Sequence, residues 1–150
     1  MVQVYSNNKT GTAVTLNDPI SFTTKTIETG CTATANQPAT AISLNKAGLY
    51  MVHFDGVIAQ TTDVTPDFTN AASSVAGFVG VTMFRNGSPV AEAKTGAVTG
   101  AGIPMAMSFD TIVRVRPSCA SIDNTASLSF NIVGNNALVY QANVTVTKLA

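Results

Sequence analysis

The stretch GLYMVHFDGVIAQ, from Gly48 to Gln60, decides the fold class because its side chains alternate in character. The aromatic, branched or glycine positions recur at every second residue: Tyr50, Val52, Phe54, Gly56 and Ile58. The positions between them are mixed and include His53 and Asp55. Successive side chains of a β-strand point to opposite faces of the sheet. The stretch therefore predicts a strand with one face in a core and a second face that a neighbouring subunit partly covers.

The centre of the chain carries a hairpin signal, MFRNGSPVAEA, from Met83 to Ala93. Asn86-Gly87 suits a two-residue type I′ turn, because both central positions of that turn need a positive φ. Pro89 has no amide hydrogen to donate to a sheet, so it indicates a strand start or an edge strand. The strand before the turn, GFVGVTMFR, is apolar on both faces, which predicts that both faces are covered.

Three later stretches alternate in the same way: MAMSFDTIVRVR (105–116), ASLSFNIVG (126–134) and LVYQANVTVTKL (138–149). No window keeps a helical period, and Gly, Asn and Pro recur at short intervals, which is typical of short strands between turns. Residues 61–74 and 95–102 are predicted to be loops. About ten strands without a linker predict one all-β domain over residues 1–150, a two-sheet antiparallel jelly roll.

The composition excludes several classes of partner. Eight basic and eight acidic residues cancel, and charged residues make up 11% of the chain, against about 25% in a typical domain. A nucleic-acid binder usually carries a basic stripe, and a membrane-surface protein a polybasic segment, so neither partner is predicted. No apolar run reaches the roughly 18 residues of a membrane span. With 45% hydrophobic residues, we expect part of the apolar surface to be buried between subunits.

The sequence offers little for catalysis. His53 is the only histidine, and its nearest acid is Asp55, two residues on. No serine lies in a nucleophile-elbow pattern, and no glycine-rich loop opens a helix to hold a phosphate. Because a catalytic triad requires mutually oriented groups, a satisfied interface or surface histidine is favoured over a general base. The chain is predicted to be a non-enzyme without a cofactor.

A metal site is not predicted either. Cys31 and Cys119 have no Cys or His neighbours at zinc spacing. Two thiols are the default for them in a reducing compartment, and a disulfide stays open because it depends on the Cα separation. Asp63 and Asp67 share a loop but are not arranged as in an EF-hand. A solvated loop is favoured there, and a calcium site completed by backbone carbonyls stays open.

Two of these stretches match known patterns. AISLNKAGLYMVHF (41–54) resembles the I-x-L-x-x-A/P-G-x-Y-x-V/F-x-F run of the complement-type and tumour-necrosis-factor-like jelly-roll superfamily. The matching positions are Ile42, Leu44, Gly48, Tyr50, Val52 and Phe54. The hairpin resembles the L-x-x-N-G-x-P-V pattern of bacterial and bacteriophage members, with Met83 in place of leucine. GTAVTLNDPISF (11–22) and ANVTVTKLA (142–150) are similar to their first and last strands.

The resemblance implies a TNF-like jelly roll that forms a homotrimer about a threefold axis. The chain shows no signal peptide and no Gly-X-Y stalk, so we expect it to be made in a host cytoplasm and placed on a virion. The implied function is a bacteriophage head-fibre or capsid-decoration protein, whose partners are itself and the major capsid protein or another virion protein. Two alternatives remain. One is a receptor- or glycan-binding head of a tail or baseplate, which would bind a host-surface glycan through loops 61–74 and 95–102. The other is the globular head of a bacterial spore-surface protein.

Two sets of site residues follow. The trimer interface is predicted at outward-facing apolar positions: Met51, Val57, Val79, Val81, Met83 and Tyr140. Each of them could equally belong to the core, because the pattern does not show which face of a strand is the inner one. Residues 1–9 are predicted to anchor the protein on the capsid through Val2, Val4 and Tyr5, with an ordinary edge strand as the equal alternative.

Overall fold

The computed structural model describes residues 1–36, 38–61, 77–117 and 125–150. These residues form ten β-strands: β1 Val2–Val14, β2 Thr24–Glu28, β3 Ala33–Thr34, β4 Ile42–Leu44, β5 Gly48–Gln60, β6 Gly77–Arg85, β7 Ser88–Thr99, β8 Met105–Val115, β9 Ala126–Val133 and β10 Ala137–Lys148. Helices are absent from these ranges, so the described residues offer no apolar helix that could cross a membrane.

The strands form two antiparallel five-stranded sheets. Sheet 1 has the order β2-β1-β10-β5-β8, and sheet 2 has the order β3-β4-β9-β6-β7. The predicted all-β architecture, a two-sheet jelly roll of about ten strands, is confirmed. Strand β7 lies at the edge of sheet 2, as Pro89 at its start predicts.

The core lies between the two sheets and is rich in aromatic rings. The face of β5 that alternation assigned to the core is buried, and every second residue of β9 and of the last part of β10 is buried as well. Phe54 on β5 stacks on Phe109 of β8 at a centroid distance of 5.4 Å and on Phe130 of β9 at 5.7 Å. Phe22 meets Phe130 edge-on at 6.0 Å. Because Phe130 belongs to sheet 2 and Phe54 to sheet 1, this cluster joins the sheets.

The central hairpin has the predicted turn. Asn86 and Gly87 have φ values of 49° and 81°, and Arg85 pairs directly with Ser88 across them, as in a two-residue type I′ loop. The turn is also tied to β9. The amide of Asn86 donates to the Ser127 carbonyl at 2.9 Å, and the Ser127 amide donates to Asn86 Oδ1 at 2.8 Å. The hairpin thus fixes the position of a third strand.

Three residues of the predicted trimer interface lie on the inner face of β6, and the structure shows that this part of the prediction is wrong. Val79, Val81 and Met83 are fully buried between the two sheets of a single chain, so they have no surface to offer another subunit. The opposite face of β6 begins with Phe78, which is 49% exposed. Both faces of this strand are apolar, and for that reason its alternation did not reveal which face was the inner one.

The predicted loop over residues 95–102 is wrong in part, because β7 continues as a strand to Thr99. Gly96 pairs directly with Gly80 of β6, and the Phe78 ring lies over both glycines. A Cβ atom on Gly96 would come within 2.5 Å of Phe78 Cζ. Glycine in this segment leaves room for an aromatic ring on the sheet, so it is not a loop signal here. The pairing register slips farther along β6, beyond Thr82.

The N-terminal segment is an inner strand of sheet 1. Over Val2–Tyr5, β1 pairs with β10 on one side and with β2 on the other. Val2 and Val4 are fully buried, so the structure corrects their assignment to a capsid anchor, since their side chains already pack in the chain's own core. Tyr5 points to the opposite face and is half-buried, and its predicted anchoring role stays a prediction.

Candidate interaction face

The outer face of sheet 1 carries the side chains that point away from sheet 2. On the central strand β5 it presents the residues between the buried core positions: Leu49, Met51, His53, Asp55 and Val57. All of them are half-buried or exposed. Strands β10 and β8 flank β5 along its length, so their outward side chains stand beside these residues.

A row of polar side chains crosses this face over four strands. Gln3 on β1 donates through Nε2 to Asn143 Oδ1 on β10 at 3.5 Å, and Asn143 Nδ2 donates to Asp55 Oδ2 on β5 at 3.4 Å. Asp55 Oδ2 lies 3.5 Å from His53 Nε2. His53 Nδ1 in turn lies 2.6 Å from Asp110 Oδ1 on β8. We call these five residues the polar belt.

Both ring nitrogens of His53 face a carboxylate. An ionised carboxylate only accepts hydrogen bonds, and a neutral imidazole has a single N–H, so only the doubly protonated ring donates to both partners. Among the described residues, the carboxylate of Asp55 lies 3.5 Å from Nε2 and that of Asp110 lies 2.6 Å from Nδ1. The side chains of His53, Asp55 and Asp110 are 39%, 38% and 70% exposed, so water screens their charges in a single chain. The geometry is thus an electrostatic contact between one imidazole and two carboxylates.

Apolar side chains lie next to the polar belt. Met51 on β5 and Ile112 on β8 are direct cross-strand partners, and they are 42% and 62% exposed. Leu49 follows on the same face and is also exposed. We call these three residues the β5–β8 patch. Adjacent exposed apolar side chains mark interaction surfaces. A shallow depression of about 510 Å³ adjoins the patch and is lined by Met51, Glu92, Asp110, Thr111 and Ile112.

Three of the predicted interface residues keep an accessible position. Met51 belongs to the β5–β8 patch, and Val57 is half-buried farther along the same face of β5. Tyr140 is half-buried at a bulge of β10, where the pairing with β5 skips one residue. Its ring lies beside Gly11, whose added Cβ would come within 3.3 Å of Tyr140 Cζ. The role of these three residues in a trimer stays a prediction.

The sequence alone did not single out Asp110 or Ile112. Both occupy the outward set of the alternating stretch 105–116, which was a usable signal. Asp110 lies 57 positions after His53, however, and only the pairing of β8 with β5 brings them together. A histidine assigned one acidic neighbour from the sequence has two in the fold.

Several predicted features lie outside the described residues. Cys119, Asp63 and Asp67 are among them, as is the predicted binding loop beyond Thr61. Cys31 is exposed, and its pairing with Cys119 stays open. Within the described ranges, no group of three or more His, Cys, Asp or Glu side chains could hold a metal ion.

Two titratable groups away from this face have shifted pKa values. Burial raises the pKa of Tyr50 above its ordinary value of 10.0, and its hydroxyl donates to the Lys46 carbonyl at 2.6 Å. The pKa of Glu28 is lowered, first by the hydrogen bond from the Lys25 ammonium and then by that from the Ala35 amide. Both groups serve local structure: Tyr50 lies in the core, and Glu28 ends the edge strand β2.

Comparison with known proteins supports the fold. No family model matches the chain, and no curated protein matches it. The globular domain of the zebrafish complement 1qA protein is 8% identical with a TM-score of 0.62, over 99% of this chain and 96% of that one. The Eiger TNF of S. frugiperda is 10% identical with a TM-score of 0.67, over 100% and 92%. Murine APRIL is 11% identical with a TM-score of 0.60, over 99% and 98%. The chain therefore has the jelly-roll fold of C1q and TNF-like domains.

Proposed function

We propose that this protein is a non-enzymatic structural protein of a bacteriophage particle that assembles as a homotrimer through the outer face of sheet 1. The observation that carries the proposal is the β5–β8 patch beside the polar belt. Leu49, Met51 and Ile112 expose apolar surface on a regular sheet face, and association would remove that surface from water.

The size of the face suits a stable contact. Five strands about 4.8 Å apart, with an average length of about ten residues at 3.3 Å per residue, make a face of roughly 800 Å². A standard specific interface buries about 800 Å² on each partner. Apolar and polar positions are both present on this face, as in known interfaces with an apolar centre and hydrogen-bonded surroundings. The resemblance of residues 41–54 to the TNF-like pattern supports three copies.

The placement on a phage particle rests on the sequence. The hairpin at Asn86-Gly87 resembles that of bacterial and bacteriophage jelly rolls, and the low charge suits a protein whose surfaces are covered by an assembly. We propose a head-fibre or capsid-decoration role with the major capsid protein or another virion protein as partner. Mass spectrometry of purified virions of the phage that encodes the chain tests this proposal. Absence of the protein from intact particles would contradict it.

The alternative of a glycan-binding head finds no specific support in the described residues. Part of its second loop is strand β7, which ends at Thr99, and most of its first loop lies outside the described ranges. A glycan array separates the two functions, because saturable binding that free sugar competes away would favour the receptor-binding head.

The self-association face is tested by two matched substitutions. Ile112 on sheet 1 is 62% exposed, and Val98 on sheet 2 is 64% exposed. Both residues lie on regular strands. The substitutions Ile112→Glu and Val98→Glu each replace a branched apolar side chain by glutamate. Sedimentation equilibrium at micromolar concentration should give a trimer for the wild type and for Val98→Glu, and mainly monomer for Ile112→Glu. The physical reason is the cost of burying an unpaired carboxylate in an interface.

Two results would overturn the assignment of this face. A wild-type protein that is monomeric across the micromolar range would contradict self-association. Dissociation by Val98→Glu with an intact Ile112→Glu trimer would place the contact on sheet 2. Far-ultraviolet circular dichroism of each variant shows that the fold is retained.

A further inference from the structure

We infer that the polar belt makes self-association of this protein pH-dependent, with a tighter assembly when His53 is protonated. The inference rests on the proposed function, since it concerns the same face of sheet 1. The belt spans β1, β10, β5 and β8 and so crosses four of the five strands of that face. A second copy packed on the β5–β8 patch would cover the His53 end of the belt as well, because Met51 and His53 are neighbours on one face of β5.

The charges at this end of the belt are mainly negative. Asp55 stands on the same strand as His53, and Asp110 stands opposite it on β8. Glu92 of β7 shares a depression with Asp110. On the other side, β10 presents the uncharged Thr145 opposite His53 and the uncharged Asn143 opposite Asp55.

A basic group lies farther away on the same face. Arg114 of β8 pairs with Leu49 of β5, four residues along from the pair of His53 and Asp110. It does not reach the belt in the described contacts. His53 is therefore the cation that can compensate Asp55 and Asp110 within the belt.

Association of two copies would change the solvation of His53, Asp55 and Asp110. In a single chain these three side chains remain in contact with water, which screens them. In an assembly they lose water, and uncompensated carboxylates become costly. A neutral His53 satisfies one carboxylate and presents a lone pair to the other, whereas the imidazolium donates to both.

The direction of the pH-dependence of association follows from proton linkage. If the assembled form holds the proton on His53 more tightly than the free chain does, association takes up protons, and it weakens as the pH rises through the range in which histidine titrates. Removing uncompensated carboxylates from water is costly, so we expect the half-dissociation concentration to rise about tenfold between pH 5.8 and pH 7.8.

Because His53 is the only histidine in the chain, any effect of histidine protonation on association can be assigned to this residue. Sedimentation equilibrium of the full chain at pH 5.8 and pH 7.8, at constant ionic strength, measures the half-dissociation concentration. The wild type should show the rise, while His53→Gln should give the same value at both pH values. Asp110→Asn should reduce the difference, since it removes one of the two carboxylates. Asp18→Asn, at an exposed turn between β1 and β2, is the matched control and should behave as the wild type.

The outcomes separate this inference from the proposed function. An assembly that is equally tight at both pH values, or tighter at pH 7.8, overturns the inference and leaves self-association intact. A pH-dependence that persists in His53→Gln also overturns it, because the N-terminal amine or a thiol would then be responsible. A monomer at every pH and concentration overturns the proposed self-association itself.

Discussion

Replacement of Phe130 by alanine tests whether the aromatic cluster holds the two sheets together. Phe130 is fully buried, and its ring stacks on Phe54 at 5.7 Å and on Phe109 at 6.2 Å while meeting Phe22 edge-on at 6.0 Å. Truncation of a buried phenylalanine to alanine costs about 3–5 kcal/mol of unfolding free energy. Three aromatic partners lose their contact at once, so we expect a loss of about 4 kcal/mol, the middle of that range.

Guanidinium chloride unfolding monitored by far-ultraviolet circular dichroism measures this loss, because the chain has no tryptophan for fluorescence. Protein concentration must be held fixed, since association adds to the apparent stability. Phe78→Ala is the matched control: it removes the same atoms from a ring that is 49% exposed, and a half-buried side chain contributes only about 1 kcal/mol. A Phe130→Ala loss below about 1.5 kcal/mol, or one no larger than that of Phe78→Ala, would refute the cluster as the link between the sheets.

Three further predictions concern local contacts. Asn86→Gly keeps the turn conformation but removes the acceptor of the Ser127 amide, so the urea midpoint should fall by the equivalent of about 1 kcal/mol; an unchanged midpoint would show that this hydrogen bond adds nothing. Gly96→Ala places a Cβ 2.5 Å from the Phe78 ring and should cost about 1–3 kcal/mol. That loss should shrink in a Phe78→Ala background, and strict additivity would contradict the contact. Burial raises the pKa of Tyr50, so the unfolded chain loses the tyrosine proton first as the pH rises, and thermal stability should decline above about pH 10. Tyr50→Phe should show a shallower alkaline decline, and an identical profile would rule out this tyrosine as a cause.

Local sequence patterns were sufficient to predict the buried residues of a strand wherever one face of that strand differs clearly from the other. The residues of β5 show this, since Tyr50, Val52 and Phe54 are all buried and alternate with a mixed set that includes His53 and Asp55. The turn at Asn86-Gly87 was equally local, because its two positive φ values depend on those two residues alone. Strand β6 marks the limit of such patterns, since its inner and outer residues are both apolar.

Only part of the polar belt could be predicted from local sequence patterns. His53 and Asp55 share a strand, and their common face follows from a spacing of two residues. The partners that complete the polar belt come from other strands: Asp110 from β8, Asn143 from β10 and Gln3 from β1. Their approach depends on the register of pairing between strands far apart in the chain, which no local pattern encodes.

Alternation and turn chemistry act over two to four residues, so the strands and the turn at Asn86-Gly87 could be predicted from the chain directly. About ten such strands then predicted the all-β jelly roll. Which apolar faces are buried and which are exposed to solvent depends on the tertiary structure. It placed Val79, Val81 and Met83 inside and left Met51 and Ile112 outside. The physical reason is that burial is a property of the packed sheets, since an apolar side chain gains equally from contact with its own core or with a second subunit.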